Sequence, residues 1–288
     1  MTHFFRAFRR GLLLLIVLCL ISFDSFALGG TRNKPYAFEI SWQHFFFNYK
    51  EELSPPFKST ERGELNGFHT SLMVFDETRY DLPWYGRFIF EFTDNPTIYD
   101  GALHNLATNE VIPYKSRTQN TILRLAGNLG LLYSWSFIDI TPYSGLDYRA
   151  WLRHLRGNTP FREAYSWLSI PLGLRTQVQL GRHVSLGVDA SYQVMISGDI
   201  KIYLSDIDDV FNDPEAKLGN RPGWRLELPL VLGYLVLTPW YEYYGFGKSN
   251  TSDWNYEFGD HNIKIGEVYE PASSTYLEGL NLGVRLTF

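Results

Sequence analysis

The sequence Asn281-Leu-Gly-Val-Arg-Leu-Thr-Phe288, the last eight residues of the chain, carries the clearest indication of the fold. Apolar residues occupy every second position of it, and Asn281, Gly283, Arg285 and Thr287 occupy the positions between. A strand with one apolar and one polar face is typical of a barrel wall with lipid outside and polar packing inside. Soluble sheets also show this alternation, so the rest of the chain decides between the two.

The terminal aromatic resembles the C-terminal signal of Gram-negative outer-membrane β-barrel proteins. That signal is carried here by Leu282, Val284, Leu286 and Phe288. The resemblance implies a place in the bacterial outer membrane, among outer-membrane lipid and lipopolysaccharide. It also implies recognition by the barrel-insertion machinery and by periplasmic chaperones.

The first 27 residues have the pattern of an export signal. Residues 1–10 are basic, Gly11–Ile21 is an apolar run too short to span a bilayer comfortably, and small residues precede a cleavage position after Ala27. We therefore predict a signal peptide over 1–27 and an outer-membrane barrel over 28–288, with a short anchoring helix as the alternative. The single cysteine, Cys19, lies in the apolar run, so the exported chain has no disulfide framework.

The composition fits export better than nucleic-acid binding. The net charge is −5, and removing the predicted signal peptide takes away three arginines and one aspartate, which lowers it to −7. Nucleic-acid binding needs a basic footprint, so we expect no such partner. Aromatic residues make up 17% of the chain, as the two interfacial girdles of a membrane barrel require.

Period-two alternation recurs along the whole exported chain and predicts an all-β fold, a transmembrane antiparallel up-and-down β-barrel of about ten strands. The predicted strands are Tyr36–Tyr49, Gly67–Phe75, Trp84–Phe92, Thr118–Tyr133, Ile138–Arg153, Tyr165–Leu180, Val184–Ile196, Trp224–Tyr234, Val236–Phe246 and Ser274–Phe288. Prolines 142, 171, 229 and 239 fall inside them and indicate bulges or misplaced boundaries, since proline cannot donate to the ladder.

The predicted connections alternate between short and long, as in outer-membrane barrels with short periplasmic turns and longer outer loops. The long polar stretches are Lys50–Asn66, Thr93–Arg117, His154–Ala164, Ser197–Gly223 and Gly247–Ala272. Eight or twelve strands remain alternatives, because the second and fifth of these stretches could hide a strand pair or extend flanking strands.

The polar face of the predicted strands carries both signs of charge, and a barrel of this size has a narrow lumen. The predicted lumen-lining residues are Glu39, Glu91, Arg124, Asp139, Asp147, Arg149, Arg153, Arg175, Asp189, Arg225, Glu227, Glu242 and Arg285. They predict either a salt-bridge network that fixes strand register or a narrow, gated pore for small polar solutes.

Few residues have a spacing that resembles a metal site or a catalytic site. Asp206, Asp208 and Asp209 cluster in one long stretch but lack the spacing of a calcium loop, so we expect neither a metal nor another cofactor. Asp260-His261 is the nearest match to the rim residues of omptin proteases, but there one residue separates the acid from the histidine. His69 and Ser71 share a strand face, as a lipid hydrolase would need, although both are predicted to point inward.

These patterns predict a structural or porin-like barrel, with a narrow channel as its transport form, and no enzyme. The alternative is a surface interaction protein whose long loops contact lipopolysaccharide, a host surface or another envelope protein. An omptin-like protease or a lipid hydrolase is the third possibility.

Overall fold

The computed structural model describes residues 35–55, 57–76, 83–105, 110–157, 160–258 and 261–288. The predicted signal peptide lies outside the described residues and stays a prediction. No helix within the described ranges is long and apolar enough to span a membrane.

Sixteen strands and one 3-10 turn, Leu204–Asp206, make up the described fold. The strands are β1 (Tyr36–Glu51), β2 (Thr60–Asp76), β3 (Trp84–Asn105), β4 (Glu110–Leu131), β5 (Tyr133–Trp135), β6 (Ile138–Arg156), β7 (Phe161–Gly181), β8 (Val184–Tyr203), β9 (Glu215–Lys217), β10 (Gly219–Asn220), β11 (Gly223–Glu227), β12 (Leu230–Leu232), β13 (Leu235–Gly247), β14 (Ser252–Phe258), β15 (His261–Val268) and β16 (Ser273–Thr287).

Ten wall strands close into one antiparallel up-and-down barrel, in which β11 and β12 together form one strand of the wall. β1 and β16 close it, with a register that runs from Ala37 opposite Thr287 to Glu51 opposite Ser273. Closure leaves the wall without a free edge. The predicted fold class and the strand count of ten are confirmed.

The outer surface of the wall is an apolar belt. Leu129 is 69% exposed and Leu172 is 53% exposed, and both lie in strands whose alternate residues are buried in the lumen. Exposed leucines repeated around a closed barrel indicate a lipid-facing surface. We define the membrane-spanning part of each strand as the part that carries this belt.

The two ends of the barrel differ. The inner end carries the short connections. The first wall strand begins at this end and the last wall strand ends there, and the rings of Tyr36 and Phe288 stack at 5.7 Å. The outer end carries the long connections, and there the strands continue past the belt. On β2 the belt ends at Phe68, and the outward positions beyond it are the polar residues Asn66, Glu64 and Arg62.

Two of the predicted loops contain strands. The stretch Thr93–Arg117 was predicted as a loop, but β3 and β4 stay paired through it, from Asp94 opposite Thr121 to Asn105 opposite Glu110. The stretch Gly247–Ala272 contains the hairpin of β14 and β15, which forms a separate two-stranded sheet. Both stretches lie outside the lipid belt, and neither sustains an apolar residue at every second position, which is the pattern that marks a membrane strand.

The prolines behave in two ways. Pro229 separates β11 from β12, so the predicted strand Trp224–Tyr234 is interrupted there. Pro142, Pro171 and Pro239 lie within the continuous strands β6, β7 and β13. The one register shift near Pro171 falls at Leu168/Ser169, opposite an extra residue in β8.

Candidate functional site

Arginines and carboxylates fill the middle of the lumen. We call this set the central ion cluster: Arg87, Glu91, Arg124, Asp147, Arg149, Asp189, Arg225, Glu227 and Glu242, all of which are at most 8% exposed. Alternation in six different strands points these side chains inward, and closure of the barrel brings them together. All except Arg87 were among the predicted lumen residues.

Arg225 lies at the centre of the cluster. Its Nη2 is 2.8 Å from Glu91 Oε1, its Nη1 is 2.7 Å from Glu242 Oε2, and its Nε is 2.7 Å from Glu227 Oε1. Each nitrogen of the guanidinium therefore donates to a carboxylate from a different wall position. Such charge-assisted hydrogen bonds are the strong ones in proteins.

The other arginines extend the same network. Arg124 donates to Glu91 at 3.0 Å and to Asp147 at 2.8 Å, and Arg149 contacts Asp147 at 3.3 Å and also Glu242. A second branch joins Arg87 to Asp189 at 3.2 Å and to Glu227 at 3.3 Å. Buried charges are tolerated only when they are paired in this way, because their desolvation is costly.

His69 belongs to this network. Its Nδ1 lies 3.0 Å from Glu91 Oε1, and the residue is 1% exposed. Ser71 Oγ makes no hydrogen bond with any described residue. His69 and Ser71 are therefore packed side by side in the lumen wall. His69 contacts a carboxylate, whereas a hydrolase would need it to contact the serine.

Two small cavities border the central ion cluster, each with a volume of about 10 Å³. Gln193 lines both cavities, and its Oε1 has no partner among the described residues. A polar cavity of that size holds about one water.

An aromatic layer lies directly above the central ion cluster. On β6, Trp151 stands between the inward-facing Arg149 and Arg153, and its ring stacks on Tyr165 at 4.7 Å. Tyr165 stacks in turn on Phe246 at 5.9 Å. The layer also contains Phe45, Phe47, Leu65, Trp167, Trp240 and Tyr244, all at most 7% exposed. Side chains thus fill the lumen across its width at this level.

A second polar group, the outer ion cluster, lies above the aromatic layer and beyond the lipid belt: Tyr49, Glu51, Glu61, Arg153, Glu163, Tyr165 and Glu270. Only Arg153 among them was predicted. The glutamates fall in stretches that were predicted as loops. The continued period-two pattern of β2, in which Leu65 and Glu61 share the inward face, was the signal that could have identified one of them.

Arg153 anchors the outer ion cluster. It donates to Glu61 Oε2 at 2.7 Å and to Glu163 Oε2 at 2.7 Å, and its guanidinium lies 5.2 Å from the centre of the Tyr49 ring. Glu61 also accepts from Asn120 at 2.5 Å. The Nη2 of Arg153 has no partner among the described residues.

Glu270 joins the outer loops to this cluster. Its carboxylate lies 2.8 Å from the Tyr49 hydroxyl and 3.0 Å from the Tyr165 hydroxyl, and these hydroxyls also contact Glu51 at 3.2 Å and Glu163 at 3.3 Å. Glu51 also accepts from the Ser59 hydroxyl at 2.6 Å, and Glu163 also accepts from Arg153 at 2.7 Å. Burial, and then the neighbouring Glu51 and Glu163, raise the pKa of Glu270 well above its usual range.

The remaining predicted lumen residues lie nearer the inner end. Arg285 pairs with Glu39 at 2.7 Å, and Arg175 donates to the Tyr85 hydroxyl at 3.1 Å. Asp139 is only half-buried, and it lies next to the inner-end turn. These residues line the lumen wall without joining the central ion cluster.

The residues of the C-terminal signal lie at the seam of the barrel. Leu282 and Val284 face outward and are 49% and 40% exposed, while Leu286 and Phe288 are half-buried. The backbone N–H of Phe288 donates to the Tyr36 carbonyl at 3.0 Å, and that of Tyr36 donates to the Phe288 carbonyl at 3.1 Å. Their role in insertion stays a prediction.

The candidate loop residues are not assembled into a site. Asp206 is held by Arg162 through two contacts of 2.7 Å, and Asp208 accepts the Val210 N–H at 3.3 Å. Within the described ranges no three His, Cys, Asp or Glu residues are grouped to hold a metal. Asp260 lies outside the described residues, and His261 is exposed at the start of β15.

No protein-family model and no curated protein sequence matches this chain. Among solved structures, the outer membrane protease OmpT from Escherichia coli is similar, with a TM-score of 0.59 at 10% identity over 91% of this chain and 99% of that chain. Ail, the attachment invasion locus protein of Yersinia pestis, gives a TM-score of 0.33 at 11% identity over 88% and 99%. The P. putida toluene transporter TodX gives 0.34 at 11% identity over 91% of each chain.

At these identities the likeness extends to the fold alone, and only the OmpT score is high enough to support it. The closed ten-stranded wall and its lipid-facing belt identify the chain as a bacterial outer-membrane β-barrel.

Proposed function

We propose that this protein is a closed, non-conducting barrel that holds an ordered set of loops at the cell surface. Its role is structural and binding, rather than transport or catalysis. The observation that carries this proposal is the filled lumen, in which two ion clusters enclose an aromatic layer. The two cavities of about 10 Å³ beside the central ion cluster are too small for a hydrated solute.

The order of the outer loops supports the same proposal. Phe211, in the long connection after β8, packs against Trp254 of the β14–β15 hairpin at 5.3 Å. The Asn255 N–H donates to Asn212 Oδ1 at 2.7 Å, which joins the same two segments. Glu270 then ties the hairpin to the barrel mouth. Loops positioned by a rigid scaffold are where binding residues are usually found.

The porin-like alternative requires an open lumen. A narrow channel needs a continuous water path past Arg149 and Asp147, and both side chains lie in the central ion cluster. The hydrolase alternative needs a nucleophile and a base in contact, and neither His69 nor His261 has such a partner among the described residues.

Single-channel conductance of the refolded chain in a planar bilayer tests the proposal. We expect no steady current from the unchanged protein, because the paired charges and stacked rings occupy the lumen. Correct insertion is established separately by protection of the wall strands from protease.

Arg149→Ala and Asp147→Ala provide the comparison, since each removes one member of the central ion cluster. A steady current from the unchanged protein, with an amplitude or ion selectivity that changes in these variants, would contradict the proposal. It would make a narrow channel the function.

A further inference from the structure

The wall contains a gap near its outer end, between β8 and the segment that leads into β11. Residues 194–197 of β8 lie opposite residues 219–222, and among the described residues no backbone hydrogen bond joins these two segments. Pairing is intact on either side, because Gln193 pairs with Gly223 below the gap and β8 pairs with β9 above it. We call these two segments the wall gap.

Side chains bridge a similar interruption elsewhere in the wall. Residues 63–66 of β2 lie opposite residues 94–97 of β3 outside the ladder pairing. There the Thr93 hydroxyl and the Asn95 amide both donate to the Asn66 carbonyl, at 2.6 and 2.5 Å. An interrupted ladder is therefore not in itself an opening, since the side chains around it decide whether it is closed.

The wall gap has no such bridge among the described residues. Asn220 Nδ2 lies 3.5 Å from the Ile196 carbonyl, beyond the usual range of a hydrogen bond, and Pro222 has no N–H to donate. Arg221 extends in the other direction, across β13 and β16, and donates to Glu52 at 2.9 Å. The segment before β11 is thus anchored toward β1 and not toward β8.

The wall gap lies at the membrane surface. Just below it, the register partners Tyr192 and Trp224 face outward and are 50% and 43% exposed, as expected of an interfacial girdle. Just above it, the register partners Asp199 and Lys217 are exposed and charged. Water is therefore present on the outer side of the gap, while the lipid belt lies beneath it.

One of the two cavities of the lumen lies directly behind the wall gap. Met195 and Arg221 of the gap line it, together with Gln193 and with side chains of the central ion cluster and the aromatic layer. Gln193 also lines the second cavity, as do Asn128 and Arg87. Gln193 Oε1, Asn128 Oδ1 and Arg87 Nε are buried without a partner among the described residues. Buried polar groups of this kind are normally paired with protein or with water.

We propose that the wall gap is a side inlet for water, which reaches the central ion cluster from the membrane surface without crossing the aromatic layer. Water fits cavities of about 10 Å³, and it can donate to Gln193 Oε1 and Asn128 Oδ1 and accept from Arg87 Nε. Water that penetrates to buried charges lowers their desolvation cost. The inlet ends at the central ion cluster, so it is compatible with a barrel that passes no ions and adds a property that the proposed function does not require.

The test is the exchange of the Gln193 side-chain amide hydrogens with solvent, followed by NMR of the refolded barrel, labelled at glutamine, in nanodiscs. Gln43 is the matched control, because it also faces the lumen, is 3% exposed, has an unpartnered Nε2 and pairs with Gly67 at the end of the bridged interruption. We expect Gln193 to exchange roughly tenfold faster or more, since exchange requires that water reach the amide. This difference should appear although Gln193 Nε2 donates to the Ser191 hydroxyl at 3.0 Å.

Equal exchange of the two glutamines would overturn the side inlet, whether both rates are slow or both are fast. Slow exchange of both would mean that water does not enter at the wall gap. Fast exchange of both, with a steady ionic current, would mean that water fills an open lumen, and it would overturn the closed barrel as well. A failure of the inlet alone is therefore distinguishable from a failure of the proposed function.

Two methionine variants test the route. Met195→Ala removes the side chain that lines the cavity behind the wall gap, so it should speed the exchange of Gln193 several-fold and leave that of Gln43 unchanged. Met73→Ala is the matched control, since Met73 is a buried lumen methionine, 1% exposed, that lines neither cavity. If both variants speed the exchange of Gln193 equally, general loosening of the barrel explains the exchange and the inlet is overturned.

Discussion

At the scale of single residues, Arg153 shows how buried charges in a narrow lumen are stabilised by pairing. Arg153 satisfies Glu61 and Glu163 at the same time, and its guanidinium lies over the rings of Tyr49 and Tyr99 at 5.2 and 5.1 Å. Removing one partner from such a pair leaves an uncompensated buried charge. That is far costlier than replacing the whole pair.

The pairing of Arg153 with its two glutamates can be tested by substitution. Arg153→Met should lower the free energy of unfolding by about 3–5 kcal/mol, because it leaves two buried carboxylates without their cation. Adding Glu61→Gln should recover part of that loss, since the amide removes one negative charge and keeps a hydrogen-bonding side chain beside Asn120. Urea unfolding of the barrel in lipid vesicles measures both changes. Strictly additive losses would show that Arg153 and Glu61 are not coupled.

At the scale of elements, the sequence predicts best where one strand face is apolar. β1 and β8 were predicted with the correct inward and outward faces, because a slip of one residue would place every apolar side chain in the lumen. The outer halves of β3 and β4 were missed because apolar residues do not alternate regularly with polar ones beyond the belt. The outer ion cluster was missed for the same reason, since Glu163 and Glu270 belong to stretches without apolar alternation.

The loop that holds Glu270 leads to the second prediction. The Ser249 N–H donates to the Glu270 carbonyl at 2.9 Å, so Glu270 connects the segments before β14 and after β15 to the barrel. Burial, together with Glu51 and Glu163, raises its pKa. Its protonated state therefore contributes stability that is fully present below the unfolded-state pKa of about 4.3 and is lost as pH rises to the folded-state pKa. Hydrogen exchange of residues 248–251 and 269–273 should accordingly speed up, beyond its intrinsic pH dependence, as pH rises from 5 to 9.

Variants separate this effect from general loop motion. Glu270→Gln copies the protonated carboxyl, so it should remove the additional pH dependence and keep the segments protected. Glu267→Gln changes an exposed carboxylate of the same hairpin, paired with Lys264 at 2.7 Å, and should behave like the unchanged protein. If Glu270→Gln retains the full pH dependence, another group controls the order of these loops.

At the scale of the whole molecule, closure brings together residues that the sequence separates widely. Glu91 and Arg225 are 134 positions apart and yet 2.8 Å apart in the lumen. Alternation could assign both to the inward face, but only the register of all ten strands decides which charges meet. Eight of the nine members of the central ion cluster were therefore assigned to the inward face from alternation, whereas the outer ion cluster, apart from Arg153, and the pairing of the charges were not predicted.

Closure also depends on the seam between β1 and β16, where the chain ends. Phe288→Ala keeps the two backbone hydrogen bonds to Tyr36 and loses the ring stacked on Tyr36, so the refolded barrel should keep nearly the same unfolding midpoint in urea. In cells, by contrast, we expect several-fold less folded protein in the outer membrane, because the resemblance assigns the terminal aromatic to recognition by the insertion machinery. Membrane fractionation and heat-dependent gel mobility measure that level.

Phe137→Ala is the matched control, since Phe137 is an aromatic at the same end of the barrel that is 62% exposed. An equal loss of folded protein in both variants would assign Phe288 to the interfacial girdle instead of to an insertion signal. An unchanged level in both variants would show that the backbone hydrogen bonds between β1 and β16 are sufficient to close the barrel in cells.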